Sequence, residues 1–367
     1  MGARVTSLRQ AALEPALQID LTAVADNTRR FVACARGAVM AVVKADGFGH
    51  GLGDVARTAV AAGATWIGVT SLAEAVQVRE SGVDVPVLSW LNPVDVDVRT
   101  AVRYGIDLSV PGLDHLAALE GGVRVHLQLD TGMARDGAAP ESWLSLMSAA
   151  RRAERAGRVS VVGVMGHLPC ADIPGVSEPG KRAFTSGVEM ARQAGLRPSV
   201  RHLAATSAAL TDPGTHLDVV RIGAGLVGID PSGTTRLRSA LRFTAPVVQV
   251  RRVAAGTGVG YGHAHVTDRA TTLALLPVGY ADGLPRTASA RAEVWLAGRR
   301  RPVAGVISMD QVVVDVGDDA VLPGDEAVVF GPGDDGEPTV EDWARWAGTI
   351  PHEIVTGIGA RVRRNVR

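Results

Sequence analysis

The chain has 367 residues, and its 38 Lys and Arg residues balance its 38 Asp and Glu residues. A formal net charge of zero gives no overall field for nucleic acid or an anionic membrane, and 4% aromatic residues are too few for a base-stacking surface. No run approaches the roughly 18 apolar residues of a membrane helix, and the first residues lack the apolar core of a signal peptide. Cys34 and Cys170 are too far apart in sequence to indicate a disulfide framework. We therefore expect a cytoplasmic protein with neither a nucleic-acid nor a membrane partner.

Short β-branched runs alternate with helix-like stretches over the first two thirds of the chain. Apolar runs separated by helices indicate a parallel sheet that is covered on both faces. About eight such units favour an N-terminal (β/α)8 TIM-like barrel, placed at residues 16–240, over the alternative of an open, doubly wound sheet. The predicted strands cover 38–45, 66–71, 85–91, 106–110, 124–130, 160–168, 199–204 and 219–229. Helices are predicted at 53–63, 71–81, 141–157 and 181–195, several of which end in glycine.

The sequence changes character after about residue 240. Strand-like runs now follow one another without long helices and are separated by Gly, Asp and Pro turns. They cover 245–253, 269–278, 292–298, 300–317 and 325–331. This pattern predicts a C-terminal, mainly β domain over 241–367, together with residues 1–15, and a boundary near 230–239. The fold class is therefore α/β, with the barrel first.

Lys44 is one of only two lysines, beside Lys181, in a chain that otherwise uses arginine for its positive charges. It follows an apolar run at the C-terminal end of a predicted barrel strand, where barrel enzymes place catalytic groups. Lysine can lose its proton in a low-dielectric pocket and act as a nucleophile, whereas arginine stays protonated. Position and rarity favour a Schiff-base lysine, and the alternative is a strand-end lysine that reaches solvent.

Two later strand ends offer groups that bind phosphate. Barrels often hold this anion with the loops after strands seven and eight and with a helix start. After the seventh predicted strand, Thr206 and Ser207 offer hydroxyls at a helix start. After the eighth, the backbone around Gly223, Ala224 and Gly225 allows N–H groups to approach an anion. Each signal is weak alone, since threonines cap many helices, but with a strand-end lysine they indicate pyridoxal phosphate.

A series of motifs in this order resembles the alanine racemases, a family of fold-type III pyridoxal-phosphate enzymes, over nearly the whole chain. AVVKADGFGHG at 41–51 is similar to the family's lysine motif, and LDTGMARDG at 129–137 to its D-T-G-M-x-R-x-G segment. GHLPCAD at 166–172 is similar to a T-H-F-A-x-A-D segment. The set is completed by VVRIGAGLVG at 219–228, GVGYGH at 258–263, VGYADGLPR at 278–286 and GVISMDQ at 305–311.

The resemblance implies a role for each motif residue. Lys44 carries the cofactor and is one catalytic base, and Tyr261, from the partner subunit of a homodimer, is the other. His167 stacks on the pyridine ring and Arg221 faces its nitrogen. The remaining cofactor-binding positions are Phe48, Thr206, Gly223 and Ala224. The implied substrate-binding residues are Arg135 and the Met309 backbone N–H at the substrate carboxylate, and Tyr280 near the entrance.

The chemistry of racemisation is consistent with these roles. A proton must leave one face of Cα and return on the other, which calls for two bases. Tyrosine has an ordinary pKa of roughly 10, so the site must stabilise its phenolate, which Arg221 and His167 can do. Because a guanidinium donates a hydrogen bond but keeps its proton, Arg221 makes the pyridine ring a weaker electron sink than an acidic partner would. That favours racemisation over decarboxylation.

Several positions depart from the family pattern and leave the substrate preference open. Phe48 and Ala360 stand where members commonly have phosphate-binding tyrosines. Ala205 and Thr206 replace the Asn and Ser of an H-x-A-N-S segment, and Val306 replaces a frequent arginine. Gln128 stands at the position of a lysine that is carbamylated in some members to orient the arginine, and its neutral amide can still hydrogen-bond Arg135.

The sequence predicts a pyridoxal-phosphate-dependent racemase that interconverts L- and D-alanine by a two-base mechanism, as a homodimer with shared sites. One alternative is a racemase or epimerase of another amino acid. The others are a decarboxylase or aldolase of the same fold and a non-catalytic cofactor-binding protein. No metal site is predicted, because the His167–Cys170 pair has no partner pair at zinc-site spacing.

Overall fold

The computed structural model describes residues 14–173 and 175–367. Their contacts divide them into two units, Ala23–Arg238 and the combination of 14–22 with Ser239–Arg367. The strands are β1 (Ala16–Ile19), β2 (Ala38–Val42), β3 (Trp66–Val69), β4 (Val87–Ser89), β5 (Ile106–Val110), β6 (Val123–Gln128), β7 (Val159–Met165), β8 (Val200–His202), β9 (Val219–Ile222), β10 (Leu241–Pro246), β11 (Gln249–Val253), β12 (Gly258–Val259), β13 (His265–Val266), β14 (Thr271–Leu276), β15 (Glu293–Leu296), β16 (Arg299–Pro302), β17 (Val312–Gly317), β18 (Glu326–Phe330) and β19 (Arg363–Val366). The α-helices are α1 (Leu21–Cys34), α2 (Leu52–Ala61), α3 (Leu72–Glu80), α4 (Val98–Tyr104), α5 (Leu113–Ala118), α6 (Trp143–Arg155), α7 (Glu178–Gln193), α8 (Thr206–Thr211), α9 (Val340–Ala347) and α10 (Pro351–Thr356).

The first unit is an eight-stranded parallel barrel. Its strands are paired in the order β8-β7-β6-β5-β4-β3-β2-β9. Backbone hydrogen bonds join the two ends of this order, from Asp218 N to Arg201 O at 3.1 Å and from Arg221 N to Ala204 O at 3.0 Å. The predicted (β/α)8 barrel is therefore confirmed.

Local sequence explains why strands and helices alternate. The strands are almost continuously buried runs of Val, Ile, Leu and Ala, as expected for parallel strands covered on both faces. The helices between them bury one face, and two of them, α3 and α4, begin with a side-chain cap. Asp97 accepts a hydrogen bond from Thr100 N at the start of α4, and Ser71 forms a capping box with Glu74 at the start of α3.

The interior of the barrel is apolar in one layer and polar in the next. Met40, Leu88, Met165 and Val219 form a buried cluster. Side chains of Asp107, His126, His202 and Arg221, all buried, are linked by hydrogen bonds. Polar residues in the centre of a parallel barrel require such partners, because a buried polar group without one costs free energy.

The second unit is mainly β, as predicted. Its largest sheet has the order β16-β15-β18-β10-β1-β19, and smaller sheets contain β11-β14-β17 and β12-β13. Phe243 and Phe330 pack edge to face in its core at 5.5 Å between ring centroids. Trp343 of α9 joins them in the buried interior and donates from Nε1 to Val329 O at 2.7 Å.

The structure differs from the predicted elements at three places. Strand β1 pairs with β10 and β19, so residues 16–19 belong to the sheet of the second unit rather than to the barrel, which was placed from residue 16. The predicted strand 245–253 is split between two sheets as β10 and β11. The predicted strand 300–317 is interrupted between β16 and β17, where Gly305 has a φ of 80°. Residues 1–13 of the predicted second domain lie outside the described residues.

In the described part of the chain, no helix is both long enough and apolar enough to cross a membrane.

Gly163 on β7 offers a test of the packing around the polar interior. A Cβ at this position would lie 2.1 Å from Nδ1 of the buried His126 ring. Gly163→Ala should therefore lower the free energy of unfolding by about 1–3 kcal/mol, the usual cost of overpacking. Gly112→Ala is the matched control, because a Cβ there meets nothing within 4 Å, and its effect should stay within about 0.5 kcal/mol. Urea denaturation measures both, and equal stability of the two variants would contradict the packing shown here.

Candidate active site

Lys44 begins an unusual left-handed turn directly after β2. The four residues that follow it, 45–48, all have φ between 53° and 61°. Three of them are not glycine, and an L-residue in this conformation costs roughly 1–2 kcal/mol. Strain of this kind persists only where surrounding contacts hold it, and it is concentrated at functional sites.

The turn is held by several hydrogen bonds. Gly47 N donates to Val43 O at 2.8 Å, and Leu52 N donates to the Asp46 carboxylate at 2.8 Å. Glu74 provides the long-range link, since its Oε1 accepts from Ala45 N at 2.8 Å while its Oε2 accepts from Thr70. Burial raises the pKa of Glu74, but these hydrogen bonds outweigh it and lower the pKa overall. The carboxylate that caps α3 thus also fixes the residue beside Lys44.

The amine of Lys44 is tuned toward its neutral form. Burial lowers its pKa first and the positive charge of Arg135 lowers it further, while Glu74 acts in the opposite direction. Within the described residues, Lys44 forms neither a hydrogen bond nor an ion pair. Lys181, by contrast, pairs with Glu178 at 2.5 Å and Asp212 at 3.0 Å. Of the two lysines, Lys44 is therefore the one that is suited to act as a nucleophile or a base.

Arg221, from β9, is buried at the centre of the cluster. Its Nη2 donates to Gly166 O at 2.8 Å, to Leu203 O at 3.2 Å and to His167 Nδ1 at 3.1 Å. Its Nη1 lies 3.3 Å from His202 Nδ1. The Nε–H donates to no group among the described residues. Burial lowers the pKa of Arg221 to about 10, so the guanidinium is charged at neutral pH. The Nε–H and the second Nη1–H remain as donors.

His167 lies directly after β7 and is kept neutral. Thr131 holds its backbone, with Oγ1 donating to His167 O at 2.7 Å and accepting from His167 N at 3.2 Å. Burial, followed by the charges of Arg221, Arg135 and Lys44, lowers the pKa of His167 to about 3. Because Nδ1 accepts from a guanidinium, which has no lone pair to offer, the proton of this imidazole is on Nε2.

The predicted phosphate-binding residues lie together at the ends of β8 and β9. Thr206 Oγ1 accepts from Gly225 N at 3.2 Å, which joins the start of α8 to the 3-10 helix Ala224–Val227. Neither helix start has a side-chain cap from the preceding residue. The ring of Phe48 fills the side of Gly223, where a Cβ would lie only 2.8 Å from Cζ. Phe48 thus packs at this place through its ring.

Arg135 is exposed, and backbone hydrogen bonds stabilise the turn that precedes it. The Asp130 carboxylate accepts from the N–H groups of Gly132 and Met133 at 2.9 Å and so shapes the turn before it. Gln128 accepts from Ser109 Oγ at 2.8 Å and donates to Asp136 Oδ2 at 2.9 Å. Among the described residues it forms no hydrogen bond with Arg135.

The other three predicted site residues belong to the second unit. Tyr261 and Met309 line one cavity of about 510 Å³, and both are exposed, at 71% and 53%. Tyr280 N donates to Ser308 O at 3.0 Å, which joins its segment to that of Met309. Gly279 makes this approach possible, because a Cβ there would lie 2.3 Å from Ser308 O.

Sequence reasoning missed four residues that support this site. Glu74 holds the residue next to Lys44, and Asp107, His126 and His202 form a line of hydrogen bonds that ends at Arg221. The signal was present in three of them, since Asp107, His126 and His202 are polar residues within otherwise apolar barrel strands. Charged or imidazole side chains in such strands indicate a buried network.

Comparison with known proteins gives a consistent result. Residues 19–231 match the family model of the alanine racemase N-terminal domain, and residues 240–366 match that of the alanine racemase C-terminal domain. An alanine racemase of Thermobifida fusca is 46% identical over 360 residues, covering 95% of this chain and 96% of its own. The structure of alanine racemase from Streptomyces coelicolor has a TM-score of 0.94 at 44% identity, covering 97% of this chain and 99% of that one. The alanine racemase structure from D-cycloserine producing Streptomyces lavendulae has a TM-score of 0.93 at 42% identity, with 97% of each chain covered.

The barrel, the strand-end lysine and these matches define an isomerase that racemises an amino acid. The chain belongs to the alanine racemase family.

His167 generates a prediction about stability and pH. An unfolded histidine has a pKa of roughly 6.5, whereas the folded value is about 3. Between about pH 3 and pH 6.5, His167 is protonated in the unfolded chain but neutral in the folded one. The free energy of unfolding is therefore highest above about pH 6.5 and falls as the pH is lowered through this range. His167→Asn, which does not titrate, should give a shallower fall of the free energy of unfolding with pH. Urea denaturation of the cofactor-free protein at several pH values measures the slope, and parallel curves for the two proteins would contradict a depressed pKa.

Proposed function

We propose that this chain is a cytoplasmic alanine racemase that uses pyridoxal phosphate and two bases, Lys44 and Tyr261, and that works as a homodimer. Two features of the barrel carry the proposal. The Lys44 amine has a lowered pKa and no hydrogen-bond partner among the described residues. The buried Arg221 guanidinium is held through Nη1 and Nη2 and keeps its Nε–H available as a donor. Its product would be D-alanine for biosynthesis.

The residues present fit pyridoxal phosphate at each of its ends. Lys44 would hold the aldehyde carbon, and its lowered pKa leaves more of the amine unprotonated and nucleophilic. Arg221 Nε–H suits an acceptor such as a ring nitrogen. The uncapped helix starts at Thr206 and Ala224 suit the phosphate, with Thr206 Oγ–H as a further donor. Phe48 contributes its ring rather than a hydroxyl, and Gly223 allows the backbone to lie against it.

The cofactor supplies an electron sink that makes the Cα–H of a bound amino acid acidic. The protein's own groups then move the proton. We propose that Lys44 Nζ exchanges it on one face and Tyr261 Oη on the other, while Arg135 and the Met309 N–H bind the substrate carboxylate. Tyr280, near Met309, would line the entrance.

Arg221 and His167 decide what kind of chemistry the site favours. The guanidinium keeps its proton and therefore draws less electron density from the ring than a carboxylic acid would permit. Its charge, acting through neutral His167, favours the ionised form of a nearby phenol. Both effects support proton exchange at Cα over reactions that need a stronger electron sink.

The exposure of Tyr261 supports the homodimer. The Tyr261 side chain is 71% exposed, whereas a base that exchanges a proton with a bound substrate has to be held in place and shielded from water. Met309, in the same cavity, is also exposed. We propose that the barrel of a second copy covers these residues, so that each site takes its tyrosine from the partner subunit.

The first test concerns the lysine. The purified protein should carry pyridoxal phosphate, and borohydride should fix it to Lys44. Lys44→Arg should abolish both, because arginine keeps the charge but cannot form the bond. Lys181→Arg is the matched control and should retain the cofactor. Peptide mapping by mass spectrometry identifies the labelled residue, and label on Lys181 would overturn the assignment.

The second test concerns the two faces. We propose, as the resemblance to the family implies, that Tyr261 takes the α-proton of L-alanine and Lys44 that of D-alanine. Tyr261→Phe should then stop exchange of the α-proton of L-alanine with solvent, whereas D-alanine should still exchange through Lys44 without inversion. A positioned base contributes about 10²–10⁴-fold, so the loss should be of that size. NMR of each enantiomer in heavy water follows the exchange, and Tyr104→Phe, in α4, is the matched control. Full racemisation by Tyr261→Phe, or equal residual exchange from both enantiomers, would remove Tyr261 from its role.

A further inference from the structure

A continuous chain of hydrogen bonds runs through the interior of the barrel to Arg221. His202 Nδ1 lies 3.3 Å from Arg221 Nη1, and His202 Nε2 lies 2.8 Å from His126 Nδ1. His126 Nε2 lies 3.2 Å from Asp107 Oδ2. Asp107 also accepts two hydrogen bonds from Arg124, at 2.7 and 3.1 Å. The chain therefore connects β9, β8, β6 and β5 at the centre of the barrel.

The barrel is built to accommodate these rings. His126 and His202 are both fully buried and pack edge to face at 5.0 Å between centroids, and Trp66 packs edge-on against His126 at 5.7 Å. Gly163 leaves the space into which the His126 ring fits. Asp107 is also buried, at 1% exposure, so water does not reach the two imidazoles in the middle of this chain of hydrogen bonds.

The chemical character of its two ends gives the chain a single direction. Arg221 can only donate, so His202 Nδ1 must be an acceptor and a neutral His202 carries its proton on Nε2. That proton is donated to His126 Nδ1, which leaves the His126 proton on Nε2, facing Asp107. The carboxylate of Asp107 can only accept. Both imidazoles are thereby assigned the same tautomer.

The charges along the chain agree with this direction. Burial lowers the pKa of His202 well below its ordinary value, the charge of Arg221 acts in the same direction, and the ring stays neutral. Burial raises the pKa of Asp107, but hydrogen bonds from His126 and Arg124 outweigh it, so the pKa is lowered and the carboxylate stays ionised. Two neutral rings thus separate a cation from a paired anion.

We infer that Asp107 and His126 are positioning residues for the racemase reaction, which act through His202 to fix the orientation of Arg221 and the direction in which its Nε–H points. Neither residue touches the substrate or the cofactor in this assignment. Their effect on the reaction rests on the proposed role of Arg221, whereas the direction of the hydrogen-bond chain is a property of the protein alone and is tested separately.

The first experiment determines the tautomers. ¹⁵N NMR of the imidazoles in the cofactor-free protein at neutral pH should find His126 and His202 both neutral, with the proton on Nε2. Signals are assigned by single replacement of each histidine. A proton on Nδ1 of either ring, or a doubly protonated ring, would overturn the inference whatever the enzyme's activity.

The second experiment breaks the middle link. His126→Leu removes both ring nitrogens with a side chain of similar size, whereas His126→Gln keeps an acceptor and a donor at a spacing close to that of the imidazole. The first should lower the kcat of the holoenzyme by roughly tenfold or more, a typical loss for a remote partner of an active-site group, with little change in KM. The second should restore most of it. Equal losses in both variants would assign His126 to packing alone.

Two further variants separate positioning from general stability. Asp107→Asn keeps the shape and removes the anionic acceptor, and it should lower kcat even if His126→Leu fails to fold. Asp218→Asn is the matched control, because Asp218 makes the same paired contact with Arg201, at 2.7 and 2.9 Å, without an imidazole. Asp218→Asn should leave kcat unchanged.

A double-mutant cycle completes the test. If Asp107 acts through Arg221, then Asp107→Asn should have almost no further effect on kcat/KM in a protein that already carries Arg221→Lys. Independent, additive losses would overturn the inference. If the unmodified protein showed no racemase activity, the proposed function would be overturned, whereas the tautomers found by NMR would still stand.

Discussion

The buried guanidinium of Arg221 is the interaction on which the rest of the site depends. A charge in the centre of a barrel is stable only if its donors are satisfied, and two backbone carbonyls and two imidazoles accept from it. Those acceptors come from the ends of β7 and β8, so satisfying the arginine also fixes His167 and His202. One electrostatic requirement thus orders three strands and sets the protonation state of two histidines.

Lys44 differs from Arg221, because it is positioned by a strained backbone turn and not by hydrogen bonds of its own side chain. Its side chain has no partner among the described residues, and what fixes it is the left-handed turn that follows. Glu74 stabilises that turn and at the same time caps α3. A reactive amine has to remain without a strong partner, since an ion pair would keep it protonated. Placing the support in the backbone leaves the amine available for chemistry.

The departures from the family pattern are understandable from packing. Phe48 replaces a hydroxyl contact by a ring that lies against Gly223, and Gln128 satisfies its amide with Ser109 and Asp136. Neither change leaves a buried polar group without a partner. The proposed phosphate site therefore depends on helix starts and Thr206, which are features of the barrel itself.

The sequence by itself determined the fold class, the strand-end lysine and the family. Alternating apolar runs and helices are local signals, and a lysine at a strand end needs no distant partner to be recognised. The three-dimensional structure alone decided that Ala16–Ile19 joins the second unit and that Gln128 bonds Asp136, because pairing between segments far apart is not written in local periodicity. It also decided the line from Asp107 through His126 and His202 to Arg221. Those residues come from four strands of the barrel, spread over more than a hundred positions, and only closure of the barrel brings their nitrogen and oxygen atoms within hydrogen-bond distance.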